Sequence, residues 1–141
     1  MWLKKKIKQY REILLYLFFG GLTTLVNAIF YFLSSWGLSL DAWLSSVIAW
    51  LFAVLFAFFT NKIIVFKSKA KSGSAVREVL LFFGARLASL LLNTAVMLVF
   101  VDLLALNEPI FFVIGQIIVL VFNYIASKFL IFKRKEESID E

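Results

Sequence analysis

Apolar residues fill this chain in four long blocks, residues 13–40, 42–61, 79–101 and 110–127, each free or nearly free of charge. At ~1.5 Å per residue each block, with modest adjustment at its ends, is long enough as a helix to cross a ~30 Å hydrocarbon core. Polar residues inside the blocks recur at three- and four-residue steps, which gathers them on single helix faces. The third block places Phe82, Arg86, Ser89 and Asn93 on one face, and the fourth places Gln116, Asn123 and Ser127. Gly20, Thr24, Asn27, Tyr31 and Ser34 form the stripe of the first block, and Ala49, Ala53, Ala57 and Asn61 that of the second. The pattern predicts an all-α, polytopic membrane protein of four transmembrane helices with small and polar faces turned inward. There Asn, Ser and Thr would hydrogen-bond between helices for ~0.6 to 2 kcal/mol each.

Composition closes off the alternatives. Of 141 residues, 62% are hydrophobic and 17% charged, too apolar a mixture for a surface surrounded by water. The chain has no His and no Cys, so it offers no zinc cage, thiol nucleophile or disulfide framework, and no metal or cofactor is expected. No nucleophile with a base and no glycine-rich phosphate loop is present, which argues against an enzyme. The first block far exceeds the ~7 to 15 residues of a signal-peptide core and lacks a small-residue cleavage site, so it is read as retained.

Charge sets the topology. Lys4, Lys5, Lys6, Lys8 and Arg11 precede the first block, and Lys62, Lys67, Lys69, Lys71 and Arg77 lie between the second and third. Lys128, Lys133, Arg134 and Lys135 follow the fourth. The two remaining loops carry only Asp41, Asp102 and Glu108. This bias places both termini in the cytoplasm. The net charge of +6 is therefore a topology signal, with anionic lipid headgroups and not nucleic acid as its partner. Trp36 and Trp43 fit an outer aromatic belt, and Tyr10, Tyr16, Phe66 and Phe132 an inner one.

Sliding the sequence against itself by 66 residues pairs 11–69 with 77–135 without a gap, and fifteen of the 59 pairs are identical. Arg11-Glu12 meets Arg77-Glu78, Asn27 meets Asn93, and Lys62 meets Lys128. Matched polar residues at one offset are hard to obtain from apolar composition, so the chain reads as a duplication joined by a flexible linker at 68–76. An even number of spans per copy inserts both the same way up. The expectation is a single domain, 1–141, of two tandem parallel helical hairpins, related by an axis along the membrane normal.

Arg86 is the only charged residue inside a block, and no block contains Asp or Glu. Burying Arg costs at least ~2.5 kcal/mol on insertion scales, so its counter-charge is expected from water, a lipid phosphate or a substrate. Asn61 and Asn123 lie at similar depth beside Lys62 and Lys128. A guanidinium, two amides and flanking lysines suit a phosphodiester, because Arg presents a planar fork to two oxygens. The other reading is a guanidinium that snorkels to the interface with no specific ligand. Asn27 and Asn93 read first as interhelical hydrogen-bonding residues and second as lining of the same site. The repeat partners of Arg86, Asn123 and Asn61 are Gly20, Ala57 and Ser127, so a duplicated scaffold would hold one ligand per chain.

These residues resemble the GtrA-like family of small four-span membrane proteins, from Tyr16 to Lys133. The carriers are Tyr16-Leu17-Phe18-Phe19-Gly20-Gly21 with Thr24 and Asn27, and the endings Phe59-Thr60-Asn61-Lys62-Ile63-Ile64-Val65-Phe66 and Asn123-Tyr124-Ile125-Ala126-Ser127-Lys128-Phe129-Leu130-Ile131-Phe132. Phe82 and Arg86 stand where the family places an aromatic and an arginine on its third helix. Lys62 and Lys128 depart from the family's usual Arg, keeping the charge but losing the fork.

The resemblance implies translocation of a polyprenyl-phosphate-linked sugar from the cytoplasmic to the outer leaflet of a bacterial cytoplasmic membrane, for glycosylation of surface polysaccharide or teichoic acid. It also implies cooperation with a membrane glycosyltransferase. A non-transporting subunit that docks such a transferase through the basic face is the alternative. A multidrug exporter would call for an intramembrane carboxylate, which the blocks lack. Four short helices are few to enclose a sugar headgroup, which leaves room for a homo-oligomer.

Overall fold

The structure is a computed structural model that describes residues 1–69 and 73–132. Its elements are four α-helices, α1 (Trp2–Phe32), α2 (Ala42–Thr60), α3 (Gly73–Met97) and α4 (Glu108–Ile125). Each runs on into a short π-helical turn: Leu33–Gly37, Asn61–Val65, Leu98–Leu103 and Ala126–Ile131 respectively. Four segments, Trp2–Gly37, Ala42–Val65, Ser74–Leu103 and Glu108–Ile131, are long and apolar enough to cross a membrane. Helix is the form such a sequence must take in lipid, since it satisfies every backbone amide within the segment. Hydroxyls follow the same rule. Thr23, Ser46, Thr60 and Thr94 each donate to the carbonyl four residues earlier, at 2.8 to 2.9 Å. Thr24 and Ser89, expected to bond between helices, also bond within their own, Thr24 to the Gly20 carbonyl (3.3 Å) and Ser89 to that of Arg86 (2.8 Å). A carbonyl one turn back is already in reach, so no neighbouring helix is required.

The helix ends are cut by one device. A carbonyl accepts from the amide five residues on, as in Phe66 to Asn61 (2.8 Å) and Phe132 to Ser127 (2.9 Å). At the other ends Leu38 bonds Leu33 (3.2 Å) and Leu104 bonds Val99 (3.1 Å). Ser39, Lys67 and Ala105 then take left-handed backbone angles, φ 53, 48 and 52°, which stop the helix as a C-terminal glycine would. α4 restarts the chain with Asn107, whose Oδ1 accepts from the Ile110 amide (3.2 Å), and with Pro109 in its first turn.

The chain divides into two compact units, Met1–Lys69 and Ala70–Glu141. In the first, α1 packs on α2: Phe30 stacks on Phe52 at 4.0 Å, and Tyr16 meets Phe66 at 6.2 Å. Ala49, Ala53 and Ala57 are buried at the four-residue spacing that admits close helix approach. In the second, α3 packs on α4, with Phe100 stacked on Phe111 at 4.9 Å and Phe82 against Phe132 at 5.9 Å.

Three expectations need correction. Gly20, Thr24 and Gln116 are exposed: the buried register of α4 and its π turn is Gly115, Asn123, Ser127 and Ile131, one residue off Gln116, and α1 buries Tyr16 instead. Tyr16, Phe66 and Phe132 are not belt residues but buried packing residues, because the turns that end α2 and α4 bring Phe66 onto Tyr16 of α1 and Phe132 onto Phe82 of α3. Of the expected flexible linker 68–76, residues 73–76 form the first turn of α3, and residues 70–72, Lys71 among them, lie outside the described residues, as do the basic positions Lys133, Arg134 and Lys135.

Candidate functional site

α3 carries the candidate chemistry on one face. Glu78, Phe82, Arg86, Ser89, Asn93 and Val96 follow each other at three- and four-residue steps, and all are buried or half-buried. Phe82 is 1% exposed, held against Phe132, and the guanidinium carbon of Arg86 sits 4.9 Å from its ring centre. A cation over a ring face is attracted by the ring quadrupole, with ~0.5 to 2 kcal/mol available depending on desolvation. Arg86 is half-buried, over an aromatic ring that is itself held by Phe132 at the end of the fourth segment.

By hydropathy Glu78 lies just outside the third apolar block. It is 3% exposed, on the same face as Arg86 and eight residues earlier in α3, because the helix begins at Gly73 and carries it inside. An acidic group therefore belongs to this face, and the case for a phosphate rests on the fork and its platform, not on the lack of a carboxylate in the span. The burial signal was legible as helix register: Glu78 is one turn before Phe82.

Asn93 lies against α4. Its Oδ1 is a buried acceptor with no hydrogen-bond partner, and a Cβ built on Gly115 would come within 2.7 Å of it. Gly115, buried, is what lets the two helices close at this level. Gly115→Ala is expected to be mild, since the Asn93 amide can turn aside and the equivalent position 66 residues earlier is the buried Ala49. Gly115→Leu should lower stability by about 1–3 kcal/mol through overpacking. Gly20→Ala, which meets nothing within 4 Å, should change nothing. Thermal unfolding of the three purified variants in detergent checks the order.

Asn123 is 4% exposed on α4. One turn on, half-buried Lys128 donates to the Tyr124 hydroxyl (3.3 Å) and lies 5.6 Å from the Tyr124 and Phe129 ring centres. In the first unit Asn61 is buried at the start of its π turn, its carbonyl accepting from Phe66, with Lys62 half-buried beside it. Asn27 is half-buried on α1. Of the eight residues singled out from sequence, Phe82 and Arg86 are thus brought together, while Asn93 and Lys128 have Gly115 and Tyr124 as their neighbours. Sequence reasoning missed Phe132 as the support of Phe82. Among the described residues no group of His, Cys, Asp and Glu could hold a metal ion.

No solved structure matches the chain. Among curated proteins, the cell wall teichoic acid glycosylation protein GtcA of Listeria monocytogenes serovar 1/2a is 39% identical over 129 residues, 91% of this chain and 89% of the relative. The protein of that name from Listeria innocua serovar 6a is 39% identical over 123 residues, 86% of this chain and 85% of its own. The uncharacterized membrane protein YwcD of Bacillus subtilis is 34% identical over 127 residues, 89% of this chain and its own full length. The family described as GtrA/DPMS, transmembrane domain, matches residues 15–132, and with buried Phe82 and its neighbour Arg86 inside that stretch, the chain belongs to this family.

Proposed function

We propose that this chain serves glycosylation of cell wall teichoic acid by moving a polyprenyl-phosphate-linked sugar from the cytoplasmic to the outer leaflet. The observation that carries the reading is Arg86: a half-buried guanidinium on the polar face of α3, its carbon 4.9 Å from the Phe82 ring centre. Such a fork offers two parallel donors to two phosphate oxygens, in surroundings where charge-assisted bonds are strong. Asn123 and Lys128 supply a further amide and ammonium in the same unit, and Asn93 lines α3 above them. Asn61, Lys62 and Asn27 enter the proposal from the sequence alone. The polyprenyl tail stays in lipid, and no covalent bond forms or breaks.

The scaffold in this reading is a duplicated pair of hairpins, 11–69 and 77–135, with both termini cytoplasmic. Support comes from features spaced 66 residues apart. Tyr16 with Phe66 repeats as Phe82 with Phe132, the left-handed Ser39 repeats as Ala105, and the bond from Leu40 to Ser34 (3.1 Å) repeats from Leu106 to Phe100 (3.0 Å). The names of the Listeria relatives support the end use in teichoic acid glycosylation.

The test is reconstitution. Purified protein in liposomes is expected to accelerate leaflet exchange of a fluorescent polyprenyl-phosphate sugar, and not of a phosphatidylcholine of similar label. Failure to accelerate exchange, combined with activation of a co-reconstituted polyprenyl-phosphate glycosyltransferase, would establish the accessory role in its place.

A further inference from the structure

α1 is longer than its packing partner. Tyr16 lies level with Phe66, just past the π turn that ends α2, so the fourteen residues 2–15 continue about 21 Å beyond the point where α2 stops. Residues 1–11 of this stub are exposed throughout. It is nevertheless patterned. Leu3, Ile7, Tyr10, Leu14 and Leu17 alternate four- and three-residue steps, the spacing of a coiled-coil seam, and at 100° per residue they fall within a stripe roughly 80° wide. Leu3, Ile7, Tyr10 and Leu14 are 64–68% exposed.

Charges flank that seam. Lys4 and Arg11 occupy the positions on one side and Lys6 on the other, with Lys5 and Lys8 behind and Glu12 the sole acid. The first turn of α1 contains no acid, and cations there oppose the helix dipole at roughly 0.3–1 kcal/mol each. By itself this is a poor helix end. An acidic companion would correct both faults at once, covering the apolar stripe and neutralising its flanks.

We propose that the stub of α1 is one half of a short coiled coil, whose other half is an acidic amphipathic helix of a partner protein. A second copy is the weaker occupant, because pairing two stubs would set Lys4, Lys6 and Arg11 against their own kind. A membrane surface is weaker too. The stub is collinear with a span and cannot lie flat, and Leu3 stands about 20 Å above the Tyr16 level, beyond a headgroup layer of ~5–7 Å. The inference is independent of whether the chain transports sugar.

The test uses the whole chain in uncharged phosphatidylcholine nanodiscs. The sequence has no Cys, so Lys5→Cys gives a single fluorophore site behind the seam. The probe is a designed peptide of about four heptads with Leu at a and d and Glu at e and g. Saturable, salt-sensitive binding is expected, with none for the version carrying Lys at e and g. Leu3→Ser with Ile7→Ser, at two exposed positions, should weaken binding roughly tenfold or more. Equal binding by that double variant, or no binding of the Glu peptide, overturns the proposal. So does cross-linking of Ile7→Cys to itself in the absence of peptide, which would assign the seam to a second copy. Quenching of the label by lipid-borne quencher in phosphatidylglycerol nanodiscs would assign it to the membrane and equally overturn the proposal.

Discussion

Cells that produce Arg86→Ala in place of the wild-type chain are expected to carry teichoic acid stripped of its sugar, with normal amounts of the protein in the membrane. Insertion is not at risk, because removing a charge from a span relieves a cost of at least ~2.5 kcal/mol on insertion scales. What disappears is the one guanidinium on the polar face of α3, and neither Asn123 nor Lys128 reproduces its planar pair of donors. Arg86→Lys separates charge from geometry. The ammonium keeps the charge but loses the fork, so decoration should fall severalfold or more. Sugar content of purified teichoic acid, read beside an immunoblot of the membrane fraction, decides both. Full decoration by Arg86→Ala removes the site, and full decoration by Arg86→Lys reduces Arg86 to a point charge.

Phe82→Ala should be the most destabilising single change in the second unit. The ring is 1% exposed, meets Phe132 at 5.9 Å and seats the guanidinium at 4.9 Å, so truncation leaves a cavity with two detached neighbours. Phe→Ala changes in soluble cores cost about 3–5 kcal/mol, and a loss of that order is expected in detergent melts. Phe82→Leu isolates the platform from the packing. It keeps most of the volume, so the melt should move little, but it removes the ring face under Arg86, worth ~0.5–2 kcal/mol. Decoration should then fall by roughly 2- to 30-fold. A Phe82→Leu variant with wild-type activity would show that the ring only fills space.

Much of this could be seen in the chain before any coordinates. Four blocks, with Arg86 as their one charged residue, are long enough to cross a bilayer, and in lipid such blocks have one stable form, the helix. Their periodic polar positions correctly put Phe82, Arg86, Ser89 and Asn93 on one face, because helix register is a local property. At the offset of 66, the structure places one ring pair, Tyr16 with Phe66 against Phe82 with Phe132, and one left-handed residue, Ser39 against Ala105.

Where the reading went astray, the cause was non-local. Hydropathy marks where apolar residues stop, not where a helix does, so residues 2–12 of α1 and the buried Glu78 of α3 fell outside the blocks. Side-chain chemistry cannot say which of two adjacent residues turns inward, and Gly115 took the buried position expected for Gln116. Aromatics near basic residues read equally as belt or core. Tyr16, Phe66 and Phe132 became core because π turns swing the last ring of each ending back onto a long helix. The sequence by itself therefore determined the helices, the polar face of α3 and the family. Which side chains meet, from Phe132 beneath Phe82 to Gly115 beneath Asn93, was decided only by tertiary packing, since contact depends on how two helices approach and not on either one alone.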